Sequence, residues 1–184
     1  MSEAKIEDIK ATLKKTLRQY PDFPSKGILF EDIMPIFQDP KTFQLLLDGI
    51  KLHLSAQNIH PDVIVGLDAR GFIFGPALAL QLGAAFVPVR KQGKLPGQTV
   101  KAEYQKEYGS DVFEIQADAI KPGQTVVVVD DIIATGGSAK AAGELVDKIG
   151  AKVSLYVFLL ELLFLKGRDK LNAPVYTLLD GQSE

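Results

Sequence analysis

Along the first twenty residues the apolar positions Ile6, Ile9, Leu13, Leu17 and Tyr20 recur three and four apart, while charged residues fill the positions between them. That spacing predicts an amphipathic helix. Pro21, Pro24 and Gly27 break it, and Phe23, Ile28, Leu29, Phe30, Ile33 and Met34 follow without a period, which reads as a structured loop with a short strand. Asp39 followed by Pro40 fits an N-cap and first helical position, and Phe43, Leu46, Leu47, Ile50 and Leu54 give the next helix its apolar face.

From Pro61 the pattern changes to short apolar runs separated by glycine-containing turns: Val63 to Leu67, Phe72 to Leu82, then Ala85 to Val89. This is a βαβ rhythm. The stretch from Lys91 to Gly109 has little apolar content, holds Gly93, Pro96 and Gly97, and reads as a functional loop. Across its base Val112, Phe113 and Ile115 can pair with Val100 to Tyr104 as a hairpin. Thr125 to Val129 is a β-branched run, followed by Ala139, Ala142, Leu145, Val146 and Ile149 at helical spacing and by Val153 to Leu160. A short polar helix at Lys166 to Lys170 and a strand at Val175 to Leu179 complete the pattern. Strand runs without in-out alternation suit a parallel sheet covered on both faces. The fold class is therefore α/β, and residues just after Leu67, Val89 and Val129 are expected to be functional, because ligands of such sheets bind beyond the carboxyl ends of the strands.

A chain of 184 residues points to one domain, 1–184, with a core large enough to stand without disulfides; there is no cysteine to form one. With 21 Lys+Arg against 23 Asp+Glu the net charge is -2, so no global field favours nucleic acid or an anionic membrane. No apolar run reaches the roughly 18 residues of a membrane span. The first twenty residues lack the apolar core of a signal peptide, which leaves a cytosolic enzyme or binding protein as the starting class.

The most informative stretch is Val126 to Ser138: four valines, Asp130, Asp131, Ile132, Ile133, then Ala134, Thr135, Gly136, Gly137 and Ser138. Adjacent carboxylates at a buried strand end call for hydroxyls or a cation to satisfy them. Two glycines and two hydroxyl residues opening a helix let main-chain amides close on a phosphate. Together they ask for a sugar phosphate.

The complete string resembles the thirteen-residue PRPP-binding motif of the type I phosphoribosyltransferases. Val65 to Gly75, Arg90-Lys91 with Gly93 to Gly97, Glu107-Tyr108-Gly109, and Phe23-Pro24 with Gly27-Ile28 and Phe30 to Ile33 look like the adenine-specific members, from about Tyr20 to Leu179. The resemblance implies a central, mostly parallel sheet flanked by helices, a small N-terminal hood mainly at 20–36, and a flexible catalytic loop at about 91–109. It also implies transfer of phosphoribose from PRPP to N9 of adenine, giving AMP and pyrophosphate with Mg²⁺ held mainly through PRPP oxygens and waters, by a cytoplasmic homodimer. Asp130 and Asp131 would engage the ribose hydroxyls, and Ala134, Thr135, Gly136, Gly137 and Ser138 the 5-phosphate. Asp68, Ala69, Arg70 and Gly71 resemble the pyrophosphate loop; Arg90, Lys91 and Lys94 would balance the leaving group, with Tyr108 in the same PRPP set. Phe30 would stack on the base, the main chain of Leu29 and Glu31 would read its edge, Arg70 would assist there, and Glu107 would handle the proton at N7. Many relatives carry arginine where Glu31 stands. His53 and His60 read as surface polar residues, and no dedicated protein metal cage is expected. The rival readings are a phosphoribosyltransferase for another purine and a PRPP-binding regulator; the intact catalytic loop and the absence of an appended helix-turn-helix argue against the regulator.

Overall fold

The computed structural model describes residues 2–105 and 110–181, which form two compact units, 1–58 and 59–184. In the first, α1 (Ser2–Thr16) buries Ile6, Ile9 and Leu13, as their spacing predicts. It ends at Thr16, four residues short of the helix read from the periodicity. Pro21 disfavours helical geometry in the residue before it, and β1 (Arg18–Pro21) pairs antiparallel with β2 (Leu29–Asp32) instead, Tyr20 opposite Phe30. An Arg18–Asp32 ion pair at 3.3 Å closes the ribbon. After the short α2 (Met34–Gln38) comes α3 (Pro40–Ala56), capped by the Asp39 carboxylate, which accepts from the amides of Lys41 and Thr42. Leu46, Leu47, Ile50 and Leu54 are buried, the face that spacing predicts.

In the second unit the central strands are β3 (Val63–Leu67), β4 (Ala85–Lys91), β7 (Thr125–Ile133), β8 (Lys152–Glu161) and β9 (Val175–Asp180), all parallel. The antiparallel β5 (Thr99–Gln105) and β6 (Ser110–Gln116) extend the seven-stranded sheet to the order β5-β6-β4-β3-β7-β8-β9. The expected hairpin is present, with Val100 opposite Ile115 and Ala102 opposite Phe113, so much of the stretch read as loop is strand. α4 (Gly71–Leu82) and α5 (Gly137–Ile149) pack against the sheet. β3 is buried at every position, as a doubly covered strand should be, whereas β4, beside the antiparallel pair, alternates. β7 continues past Val129 because its backbone ladder with β8 persists through Ile133 opposite Glu161; the aspartates interrupt the apolar pattern, not the pairing. Residues 163–170 are two 3₁₀ turns in place of the expected single helix. Among the described residues no helix is long and apolar enough to cross a membrane.

Candidate active site

Parallel pairing sets Leu67 opposite Val89 and Gly66 opposite Val129, so the residues that follow these strands emerge at one edge of the sheet. There a cavity of about 270 Å³ is lined by residues 68–70, residues 130–139 and Phe158. It gathers Asp68, Ala69, Arg70, Asp130, Asp131 and the string from Ala134 to Ser138. Ile132, Ile133, Ala139 and Phe158 also line it. Phe158 was not legible as a site residue: it lies inside an apolar strand run and reaches the cavity only because it pairs with Asp130 across the sheet.

Asp131 is buried and its Oδ2 lies 2.8 Å from Nε of the half-exposed Arg70. Asp130 accepts from the Asp131 amide at 2.9 Å. Burial and the neighbouring Asp131 charge push the Asp130 carboxyl well above the ordinary carboxylate range. Burial raises Asp131 as well, against the opposing pull of Arg70. The corner is thus electrostatically unsatisfied and suited to hydroxyl donors or a cation.

The phosphate-loop candidate turns at Gly136, which caps α5 with φ at +79°, a conformation glycine adopts without penalty. An added Cβ there would meet the Gly167 carbonyl oxygen at 2.3 Å, so the turn lies directly on the main chain of Gly167. The first residues of the 13-residue α5, Gly137, Ser138 and Ala139, line the cavity, which puts the positive end of the helix dipole there. Opposite, the Asp68–Ala69 peptide is cis and Arg70 caps α4. Gly71 is buried, and a Cβ on it would lie 2.6 Å from the Val129 carbonyl oxygen, so glycine permits the close approach of α4 to β7.

Arg90 and Lys94 sit beside the cavity without lining it: Arg90 Nε approaches Asp68 Oδ2 at 3.3 Å, and Arg90 Nη1 points to the Lys94 carbonyl at 3.5 Å. Lys91 lies 3.5 Å from Asp111 on β6. Glu107 and Tyr108 fall outside the described residues. Leu29, Phe30 and Glu31 belong to the first unit, where Phe30 is partly buried and meets Phe23 edge-on at a centroid distance of 5.1 Å. Glu31 accepts from Gln19 at 3.3 Å.

Residues 40–179 match the family model described as phosphoribosyl transferase domain. The chain is 70% identical to the adenine phosphoribosyltransferase of Yarrowia lipolytica over 179 residues, 96% of this chain and 98% of that protein. It is 63% identical to adenine phosphoribosyltransferase 1 of Saccharomyces cerevisiae over 174 residues, 94% and 93% of the two chains. A crystal structure of the adenine phosphoribosyltransferase from Saccharomyces cerevisiae, complexed with an imino-altritol bisphosphate and adenine, superposes with a TM-score of 0.91 at 61% identity, covering 94% of this chain and 99% of that one.

Proposed function

The chain belongs to the adenine phosphoribosyltransferases, within the phosphoribosyl transferase domain family, and from that premise we propose that it transfers the 5-phosphoribosyl group of PRPP to N9 of adenine, releasing AMP and pyrophosphate. The observation that carries this reading is the cavity in which the partly buried Asp130 and the buried Asp131 share the lining with a glycine turn at the N-terminus of α5. Asp130 and Asp131 accept hydrogen bonds from the ribose hydroxyls, and the amides and hydroxyls of residues 134–138 hold the 5-phosphate. The main chain of Asp68 to Gly71 offers amides to the pyrophosphate, with Arg70 beside them.

Cleavage at C1 leaves positive charge on the ribose and gathers negative charge on the departing pyrophosphate. Arg90, Lys91 and Lys94 offset that charge, and PRPP held by both ends needs no covalent nucleophile. Phe30 stacks on adenine while the main chain of Leu29 and Glu31 reads its edge; Glu107 accepts or donates the proton at N7, and Tyr108 completes the PRPP contacts. The donor set suits Mg²⁺: the cavity offers carboxylate oxygens from Asp130 and Asp131. Bound near Asp130 and Asp131, Mg²⁺ would supply charge neutralisation. A homodimer working in the cytoplasm completes the proposal.

Product formation from PRPP with adenine, hypoxanthine, guanine and xanthine in parallel tests it. AMP formation from adenine, with little product from the other three, is the expected result. Equal or greater use of an oxopurine would overturn the base assignment, and no product from any base would overturn the reaction.

A further inference from the structure

Glu114 is a buried carboxylate outside the cavity, 3% exposed, in the middle of an otherwise apolar strand segment. Its Oε1 accepts from the amides of Gly93, Lys94 and Leu95 at 2.8, 3.2 and 3.4 Å, and its Oε2 from the Thr99 hydroxyl at 3.2 Å. All four donors lie in the turn that leaves β4 or at the start of β5, so the carboxylate holds that turn closed. Burial alone would raise its pKa, but the bonds from Gly93, Thr99, Leu95 and Lys94 outweigh burial and bring it below the ordinary carboxylate value. An ionised group enclosed in this way is fixed to its donors, because releasing them would leave a buried charge unpaired.

The same turn leads to the cavity. Glu114 stands opposite Arg90 in the β4–β6 pairing; Arg90 Nη1 reaches the Lys94 carbonyl, and Arg90 Nε reaches Asp68 on the cavity wall. We propose that Glu114 is a positioning residue: it fixes the backbone from which Lys94 projects and on which Arg90 leans, and so preorganises the cations that meet the pyrophosphate of PRPP. This rests on the phosphoribosyl-transfer reading. Glu114 takes no proton in the reaction, since its oxygens are committed to the turn. Held cations cost no reorganisation when charge develops on the leaving group, whereas a loose turn would have to order first.

Steady-state kinetics with each substrate varied at saturation of the other, run beside thermal denaturation, test the proposal on wild type, Glu114→Ala, Glu114→Gln and Thr99→Val. Glu114→Ala should raise the KM for PRPP by about tenfold, the scale of a lost charge-assisted anchor, and leave that for adenine within about twofold. Glutamine keeps an oxygen for the three amides and should recover most of the loss. Thr99→Val should give a smaller rise of the same kind. A folded Glu114→Ala enzyme with wild-type KM for PRPP, or equal shifts for both substrates, overturns the proposal, as does a wild-type profile for both Glu114→Gln and Thr99→Val if the alanine variant does not fold. Calorimetric binding of pyrophosphate to the same set keeps the two readings apart. A wild type that makes no AMP removes the reaction assignment, while equal pyrophosphate affinity in wild type and Glu114→Ala removes the positioning role.

Discussion

Two adjacent carboxylates in one buried corner resist ionising together, and this gives the site a pH dependence of definite sign. Asp130 and Asp131 are both raised by burial, Asp130 further by its neighbour, with Arg70 opposing. An acid whose folded pKa exceeds its unfolded value, about 3.9 for aspartate, binds more protons when folded. Its contribution to the stability of the free protein is therefore full below the unfolded pKa and is lost as pH rises through the raised one. Ribose hydroxyls donate to the ionised form, so PRPP binding should expel a proton and tighten as pH rises. Calorimetry in buffers of different ionisation heat should record proton release for wild type and less for Asp130→Asn, which should also lose about 10² to 10³ in rate. Proton uptake by wild type would contradict this account. The pair was legible because its members adjoin in the chain and end an apolar run. Glu114, and Glu161 with its two bonds from Arg168, were not, because each looks like an ordinary charge until the fold brings its donors to it.

At the scale of elements, the glycine turn before α5 draws its shape from a segment that the local motif does not contain. Gly167 opens the second of the two 3₁₀ turns, and a Cβ on it would meet the Ala134 carbonyl oxygen at 2.2 Å and the Gly136 amide nitrogen at 2.8 Å. Arg168 beside it is tied to the buried Glu161 through both carboxylate oxygens, and Leu162 donates to the Ile133 carbonyl at 3.0 Å, so neither backbone has room to retreat. Gly167→Ala should therefore displace the 134–136 turn and raise the KM for PRPP about tenfold, with an overpacking cost of about 1 to 3 kcal/mol in stability. Kinetics and thermal unfolding of one preparation check both parts; a stable variant with unchanged PRPP kinetics would show that the turn accommodates the methyl group. The sequence displayed the glycines of the turn, but the reason they must be glycine lies some thirty residues further on, where Gly167 stood in a stretch read as a polar helix. Elements of strong period, α3 and α5, were legible to within a residue or two of their ends. β1 was not: its four residues are all exposed, so it carries no hydrophobic signature, and only its pairing with β2 defines it.

At the scale of the whole molecule, the proposed roles predict which substitutions move which substrate. The groups suited to a sugar phosphate all belong to the unit 59–184, whereas three of the residues proposed for the base, Leu29, Phe30 and Glu31, belong to 1–58, and Arg70 and Glu107 belong to 59–184. Substitutions of Leu29, Phe30 and Glu31 should move adenine, those of Asp130 and Asp131 should move PRPP, and those of Arg70 should move both. Phe30→Ala is the sharpest case. Phe30 is only partly buried and meets Phe23, itself about half exposed, edge-on, so removing its ring should cost little of the core. Loss of a stacking face should weaken adenine by about 1 to 3 kcal/mol and leave PRPP binding nearly untouched. Separate equilibrium titrations with adenine and with PRPP, on protein whose melting temperature has been measured, distinguish the outcomes. Normal adenine affinity in the folded fraction of a destabilised variant would return Phe30 to the core. A loss of PRPP affinity equal to that for adenine would mean that Phe30 does not act on the base alone.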